Sequence, residues 1–254
     1  MKYFSPSNRS RELGMTLIDT LVVLLAVLIL MVMLFPVISG SRPGRPAKVM
    51  LARLQIREIA MSITAYRTDY GRYPVPTNVE MSALAAKTDF TYGGPELNRI
   101  LGPGAATPVN ADVIAILMDL TNYPDGRPTV NSNHNLNPRR IEYLNAKFVL
   151  NTSSDGVGTD LVYRDPWGNP YIITMDLNTD GRCRDVFYKI FAVSQKKGAT
   201  GFDGFINAYT SSGRSDLFEY DSGIMVWSLG PDGKADPTLP STAPPNSDNV
   251  TSWR

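Results

Sequence analysis

Residues 20–41 run for 22 positions without a charged side chain, and this stretch constrains the chain more than any other feature. As a helix rising about 1.5 Å per residue it would reach roughly 33 Å, enough for the hydrocarbon core of a bilayer. The rest is far more polar: mean hydropathy over the whole chain is only -0.13. The two ends therefore have different tasks. A short polar leader, residues 1–14, sets Lys2, Arg9 and Arg11 against Glu12. That bias keeps the N-terminus cytoplasmic and sends the remainder across the membrane. A cleavable secretory signal has an apolar run of about 7 to 15 residues followed by small residues, so ordinary signal peptidase fits poorly. A plain uncleaved signal anchor is the simplest alternative.

Charge and cysteine content exclude several classes. Twenty-five Lys and Arg nearly cancel 24 Asp and Glu, so no global excess calls for nucleic acid or another polyanion as partner. The single Cys183 cannot close an intrachain disulfide, and with the single His134 it cannot build a Cys/His zinc cage. No Gly-x-Ser-x-Gly, His-Glu-x-x-His, Gly-x-x-x-x-Gly-Lys or dinucleotide fingerprint is present, and one histidine is a thin supply of general bases. No catalytic residue is assigned, and the expectation is that the chain is not an enzyme.

Asp19 stands at the edge of the apolar run, where a carboxylate costs on the order of 3 kcal/mol toward the bilayer centre and so calls for a partner. Cleavage after Gly14 would create an amine on Met15, a cation able to pair with Asp19 of a neighbouring copy when the helices bundle. The run Gly14-Met15-Thr16-Leu17-Ile18-Asp19 with its apolar continuation resembles the class III signal of type IV pilins and type II secretion pseudopilins. The resemblance implies a prepilin peptidase that cuts after Gly14 and methylates Met15, where the family usually has Phe. It makes Asp19 the assembly carboxylate, usually Glu, and places Pro36 where the family often carries a helix-loosening proline.

The cluster Ser39-Gly-Ser-Arg-Pro-Gly-Arg-Pro46 is rich in helix breakers, so residues 39–46 are expected as a linker. Arg42 and Arg45 within it and Lys48 just beyond it would meet either lipid headgroups or solvent. Beyond it, Val49, Ala52, Ile56, Ile59, Ile63, Tyr66 and Tyr70 recur at spacings of three and four, predicting an amphipathic helix of about 24 residues capped by Gly71. Its close, Ala65-Tyr-Arg-Thr-Asp-Tyr-Gly-Arg-Tyr-Pro74, resembles the end of the pseudopilin helix. Residues 76–164 read as a variable insertion. It holds short helices at 78–87 and 110–120, the second with Asn110 as N-cap, and loops at Gly93-Gly94-Pro95, 102–104 and 131–138. His134 is expected as a solvated loop residue.

Residues 165–254 carry the strand signals, at 171–175, 186–193 and 223–229. Asp165-Pro-Trp-Gly-Asn-Pro-Tyr171 resembles a heptapeptide that precedes the sheet in major pseudopilins, with Trp167 expected in the seam between helix and sheet. Two acidic loops compete for calcium. Asp176-Leu-Asn178-Thr-Asp180-Gly181 copies half an EF-hand, but its twelfth position is Phe187, so a hairpin turn through Asp180-Gly181 is preferred. Ser228-Leu-Gly-Pro-Asp-Gly-Lys234 and Ser247-Asp-Asn-Val-Thr-Ser-Trp253 resemble the halves of the pseudopilin calcium loop. The resemblance implies Ca2+ held by Asp232 and Asp248, with the Leu229 carbonyl and oxygens near Asn246; an acidic surface loop without metal is the alternative.

The sequence thus predicts an α+β fold of the pilin-like kind: leader 1–14, membrane and assembly helix 15–38, linker 39–46, and a globular domain 47–254 with helix packed on an antiparallel sheet. The resemblance implies a structural subunit of a type II secretion pseudopilus in the bacterial inner membrane, its C-terminal domain periplasmic. Its partners would be copies of itself, prepilin peptidase, other pseudopilins, the inner-membrane secretion platform and lipid. A type IV pilin for adhesion, motility or DNA uptake shares the N-terminus, and a signal-anchored enzyme or binding protein remains the alternative of a different class.

Overall fold

The computed structural model describes residues 17–38, 44–207 and 215–254, with side chains in the first helix as far as Met31. The chain divides into two compact units at Gly44 and Arg45. The first contains helix α1, Leu17–Ile38, with Asp19 in its first turn, where a carboxylate complements the helix dipole. From Leu17 to Met31 its large apolar side chains are 45–83% exposed. Among the described residues no helix is long and apolar enough to cross a membrane, so they do not establish the span expected over 20–41. The cleavage pair Gly14 and Met15 lies outside the described residues, as does most of the expected linker.

The second unit begins with helix α2, Arg45–Tyr70. Arg45 and Pro46, expected in the linker, instead belong to its first turn, where a proline sacrifices no helical hydrogen bond. The predicted stripe is the buried one: Ala52, Ile56, Ile59, Ile63 and Tyr66 are fully covered. Each covered isoleucine contributes about 1.5–3 kcal/mol relative to an exposed one. Gly71, at φ +69°, ends the helix in the left-handed conformation and returns its N–H to the Arg67 carbonyl at 2.8 Å.

Helix α3, Thr77–Ala86, closes on Lys87 at φ 52°, and strand β1, Phe90–Tyr92, follows. Gly93-Gly94-Pro95 is not the loop expected but the start of helix α4, Gly94–Leu101, with Pro95 again tolerated in the first turn. Helix α5, Ala111–Leu117, is shorter than predicted, and Asn110 does not cap it through its side chain. That amide bonds Tyr163 N at 2.9 Å, Tyr163 O at 3.0 Å and Tyr171 O at 2.8 Å, so three buried backbone groups outcompete the cap. A short ladder, β2 Gly156–Val157 with β3 Tyr163–Arg164, leads into β4, Ile172–Met175.

The 186–193 segment is no strand. Asp185 accepts the Phe187 and Tyr188 amides, both at 2.9 Å, and bends the chain into a turn that ends in helix α6, Phe191–Ser194. Its aromatic and β-branched residues suit a strand, but here they pack into the core from a turn. Strands β5 Gln195–Lys197, β6 Thr200–Gly201, β7 Ile206–Asn207 and β8 Phe218–Glu219 then form an antiparallel meander. Strands β9, Ile224–Ser228, and β10, Val250–Thr251, complete the principal antiparallel sheet in the order β1-β4-β9-β10. The α+β class with antiparallel sheets is as expected.

This sheet is buried on both faces, so the side chains of β4 and β9 do not alternate between buried and exposed. Ile173, Met175 and Val226 join the core beneath α2, while Ile172, Met225 and Trp227 join a second core with Phe187, Tyr188, Phe205 and Phe218.

Candidate functional site

The site begins with the turn at Asp165. This carboxylate is fully buried. It accepts the backbone N–H groups of Trp167 at 2.8 Å and Asn169 at 2.9 Å, the Asn169 side-chain amide at 3.2 Å, and the Ser228 hydroxyl. Burial raises its pKa against the opposing pull of those bonds. Ser228 Oγ in turn accepts the Gly230 N–H at 2.9 Å, and Asn169 donates to the Gly230 carbonyl at 2.9 Å. The two C-terminal motifs singled out in the sequence are thus one hydrogen-bonded assembly. Lys48 Nζ ties α2 to it through the Pro166 carbonyl at 2.7 Å. Trp167, half-buried, packs at the edge of the helix–sheet core as expected.

Leu229 leads into the single helical turn Gly230–Asp232, which lies against a second one, Asn246–Asp248. Gly230 has φ +69°, and a Cβ there would fall on the Asp248 carbonyl oxygen, so the approach of the two turns demands glycine. Of the expected calcium ligands, the structure therefore brings the Leu229 to Asp232 stretch and Asp248 to one place. Asp232 Oδ1 already accepts the Lys234 N–H at 2.9 Å.

The Asn246 side chain is engaged within its own loop. Its Oδ1 accepts the Asp236 N–H at 2.8 Å, and its Nδ2 donates to the carbonyls of Asp236 at 2.9 Å and Leu239 at 2.8 Å. Fully buried, that side chain is spent in closing the loop and is not available to an ion. Asp236 is turned to its own loop: bonds from the Thr238 hydroxyl and N–H hold its pKa down. Among the described residues no three acidic, His or Cys side chains gather to hold a metal. A calcium shell of six to eight oxygens would have to draw on Asp232, Asp248 and backbone carbonyls such as that of Leu229.

The competing acidic loop satisfies itself. Asp176 accepts the N–H groups of Asp180 at 3.1 Å and Gly181 at 3.0 Å, and Phe187 is buried in the aromatic core. The turn exists, but the expected hairpin does not, because β4 pairs with β1 and β9 and the chain continues to Cys183, bridged to Tyr220.

Two arrangements escaped sequence reading, since each joins residues distant along the chain. Asp89 accepts the Arg184 N–H at 2.6 Å, while its Oδ1 is buried without a protein partner. Its pKa is pushed up to about 7, first by burial and then by Asp176 and Asp180. His134, expected to be solvated, is only 26% exposed and places Nδ1 2.8 Å from Asp119 Oδ1.

Comparison of the chain with family models, with curated proteins and with solved structures finds no match.

Proposed function

We propose that the chain is a pilin-like structural subunit, cut after Gly14, methylated on Met15 and assembled through its N-terminal helix into a periplasmic filament of the type II secretion kind. The observation that carries this reading is α1: its described apolar side chains lie uncovered all round the helix from Leu17 to Met31, with Asp19 as the lone charge in its first turn. An apolar helix of this kind requires lipid or neighbouring helices as a cover. In a bundle of copies each Asp19 would meet a Met15 amine, and the carboxylate would favour assembly in register. The globular unit, a helix packed on an antiparallel sheet, suits the outer layer of such a filament.

Calcium belongs to the same reading in reduced form, at Asp232, Asp248 and the Leu229 carbonyl, where it would pin the two facing turns. The deciding experiment is intact-mass and N-terminal analysis of the protein from host membranes, with and without the prepilin peptidase. Loss of residues 1–14 and a methyl group on Met15, both dependent on the peptidase, are expected. An intact leader in the presence of the peptidase overturns the proposal.

A further inference from the structure

The insertion contains a polar cavity of about 520 Å³ lined by Thr121, Asn122, Ser132, Asn133, His134 and Arg140 among others. Four non-glycine residues around it are left-handed: Asp119 at φ 53°, Asn133 at 55°, His134 at 58° and Arg140 at 55°. Each such residue costs on the order of 1 kcal/mol, and such conformations persist only where the surroundings over-determine them.

Two fully buried asparagines do so here. Asn131 accepts the N–H groups of Leu136 at 3.1 Å and Asn137 at 3.0 Å and donates to Asp119 at 3.0 Å. Asn137 donates to the carbonyls of Ile116 at 3.2 Å and Ile141 at 2.7 Å and accepts the Tyr70 hydroxyl at 2.8 Å. Asp119 Oδ1, held by Asn131, also receives His134 Nδ1 at 2.8 Å. With Nδ1 turned to Asp119, Nε2 is the ring nitrogen left for a ligand. Among the described residues neither Nε2 nor the Arg140 guanidinium has a hydrogen-bond or ion-pair partner.

We propose that this cavity binds a phosphoryl group, with Arg140 and His134 Nε2 both on its oxygens. The chemistry selects the ligand: a guanidinium fork matches a pair of phosphate oxygens. The imidazole Nε2 can bond a phosphate oxygen in either protonation state, donating to an anionic oxygen or accepting from a P–OH, and sulfate offers only the first of these. The hydroxyls of Thr121 and Ser132 and the amides of Asn122 and Asn133 supply further donors at the wall. The proposal is independent of the filament reading, since every residue in it lies within the globular unit.

His134 is the only histidine, so one imidazole signal reports on the site. Full-length protein in detergent micelles, labelled with 15N-histidine, would be titrated at pH 7 and fixed ionic strength with inorganic phosphate, glycerol 3-phosphate and sulfate. The expected result is a saturable shift of Nε2 with phosphate or its ester, and a Kd about tenfold weaker or more in Arg140→Gln at unchanged melting temperature. Saturation by both compounds marks the phosphoryl group itself as sufficient, and saturation by the ester alone marks an esterified source. No saturable shift up to about 50 mM, an affinity too weak to matter, overturns the proposal. So does equal binding of sulfate, or an unchanged Kd in Arg140→Gln.

Discussion

The side-chain amide of Asn169 donates to the carbonyl of Gly230 at 2.9 Å, joining two turns 61 residues apart in the chain. Asp165 and Ser228 lie directly behind that contact, so four residues from two motifs share one buried network. Asp165→Ala leaves the Trp167 and Asn169 N–H groups and the Ser228 hydroxyl without their acceptor. A loss of about 3 kcal/mol is expected in urea unfolding, since each buried group left unmade costs about 1–3 kcal/mol. Asp165→Asn keeps an acceptor and should lose less.

Gly230→Ala should be among the most damaging single substitutions. The new methyl would occupy the place of the Asp248 carbonyl oxygen on a backbone at φ +69°, so the two facing turns must part. We expect a loss of about 3 kcal/mol or more, read as a lowered urea midpoint, and slower exchange-in would not accompany it: amides near Asn249 and Val250 should exchange faster.

Calcium separates the roles of Asp232 and Asn246. If the facing turns hold the ion, calcium at about a hundred times its Kd adds about 2.7 kcal/mol and raises the melting temperature of the full chain. Asp232→Ala or Asp248→Ala should abolish the rise. Asn246→Ala should lower the melting temperature equally with calcium or with EDTA, because its amide closes the loop rather than meeting an ion.

Asp89 makes stability depend on pH with an unusual sign for a carboxylate. Its folded pKa, about 7, lies above the ordinary 3.8, so between those values the folded chain keeps a proton that the unfolded chain has released. Its contribution is favourable at low pH, falls as pH rises through that window and levels off above about 7. Asp89→Asn should flatten this slope and stabilise the protein at pH 8 by about 1 kcal/mol or more, measured by urea unfolding across the range.

Asp19→Ala should leave membrane insertion intact and abolish filament assembly, measured by crosslinking between copies in host membranes. Removing the charge eases insertion while deleting the pairing that sets the register. Normal crosslinking in the variant would count against the pairing.

Legibility followed the range of each interaction. The α2 stripe and its Gly71 cap were readable because helix periodicity and a left-handed cap are local properties. Strand β1, three residues long, carries too little pattern to register, and 186–193 misled because aromatic residues suit a core turn as well as a strand. In the candidate site the two motifs are visible in the sequence but not their union, and only the folded loop shows where the Asn246 amide is spent. His134 and Asp119 are fifteen residues apart, linked by backbone conformations no composition announces.

With apolar side chains on β4 and β9 facing both ways, neither α2 nor the segment carrying Phe187, Phe205 and Phe218 is an optional ornament. Excising that segment would bare Ile172, Met225 and Trp227 to water, a greasy wound that invites clumping. Shortened versions for crystallography or vaccine display should therefore keep both flanks of the sheet and trim only elsewhere.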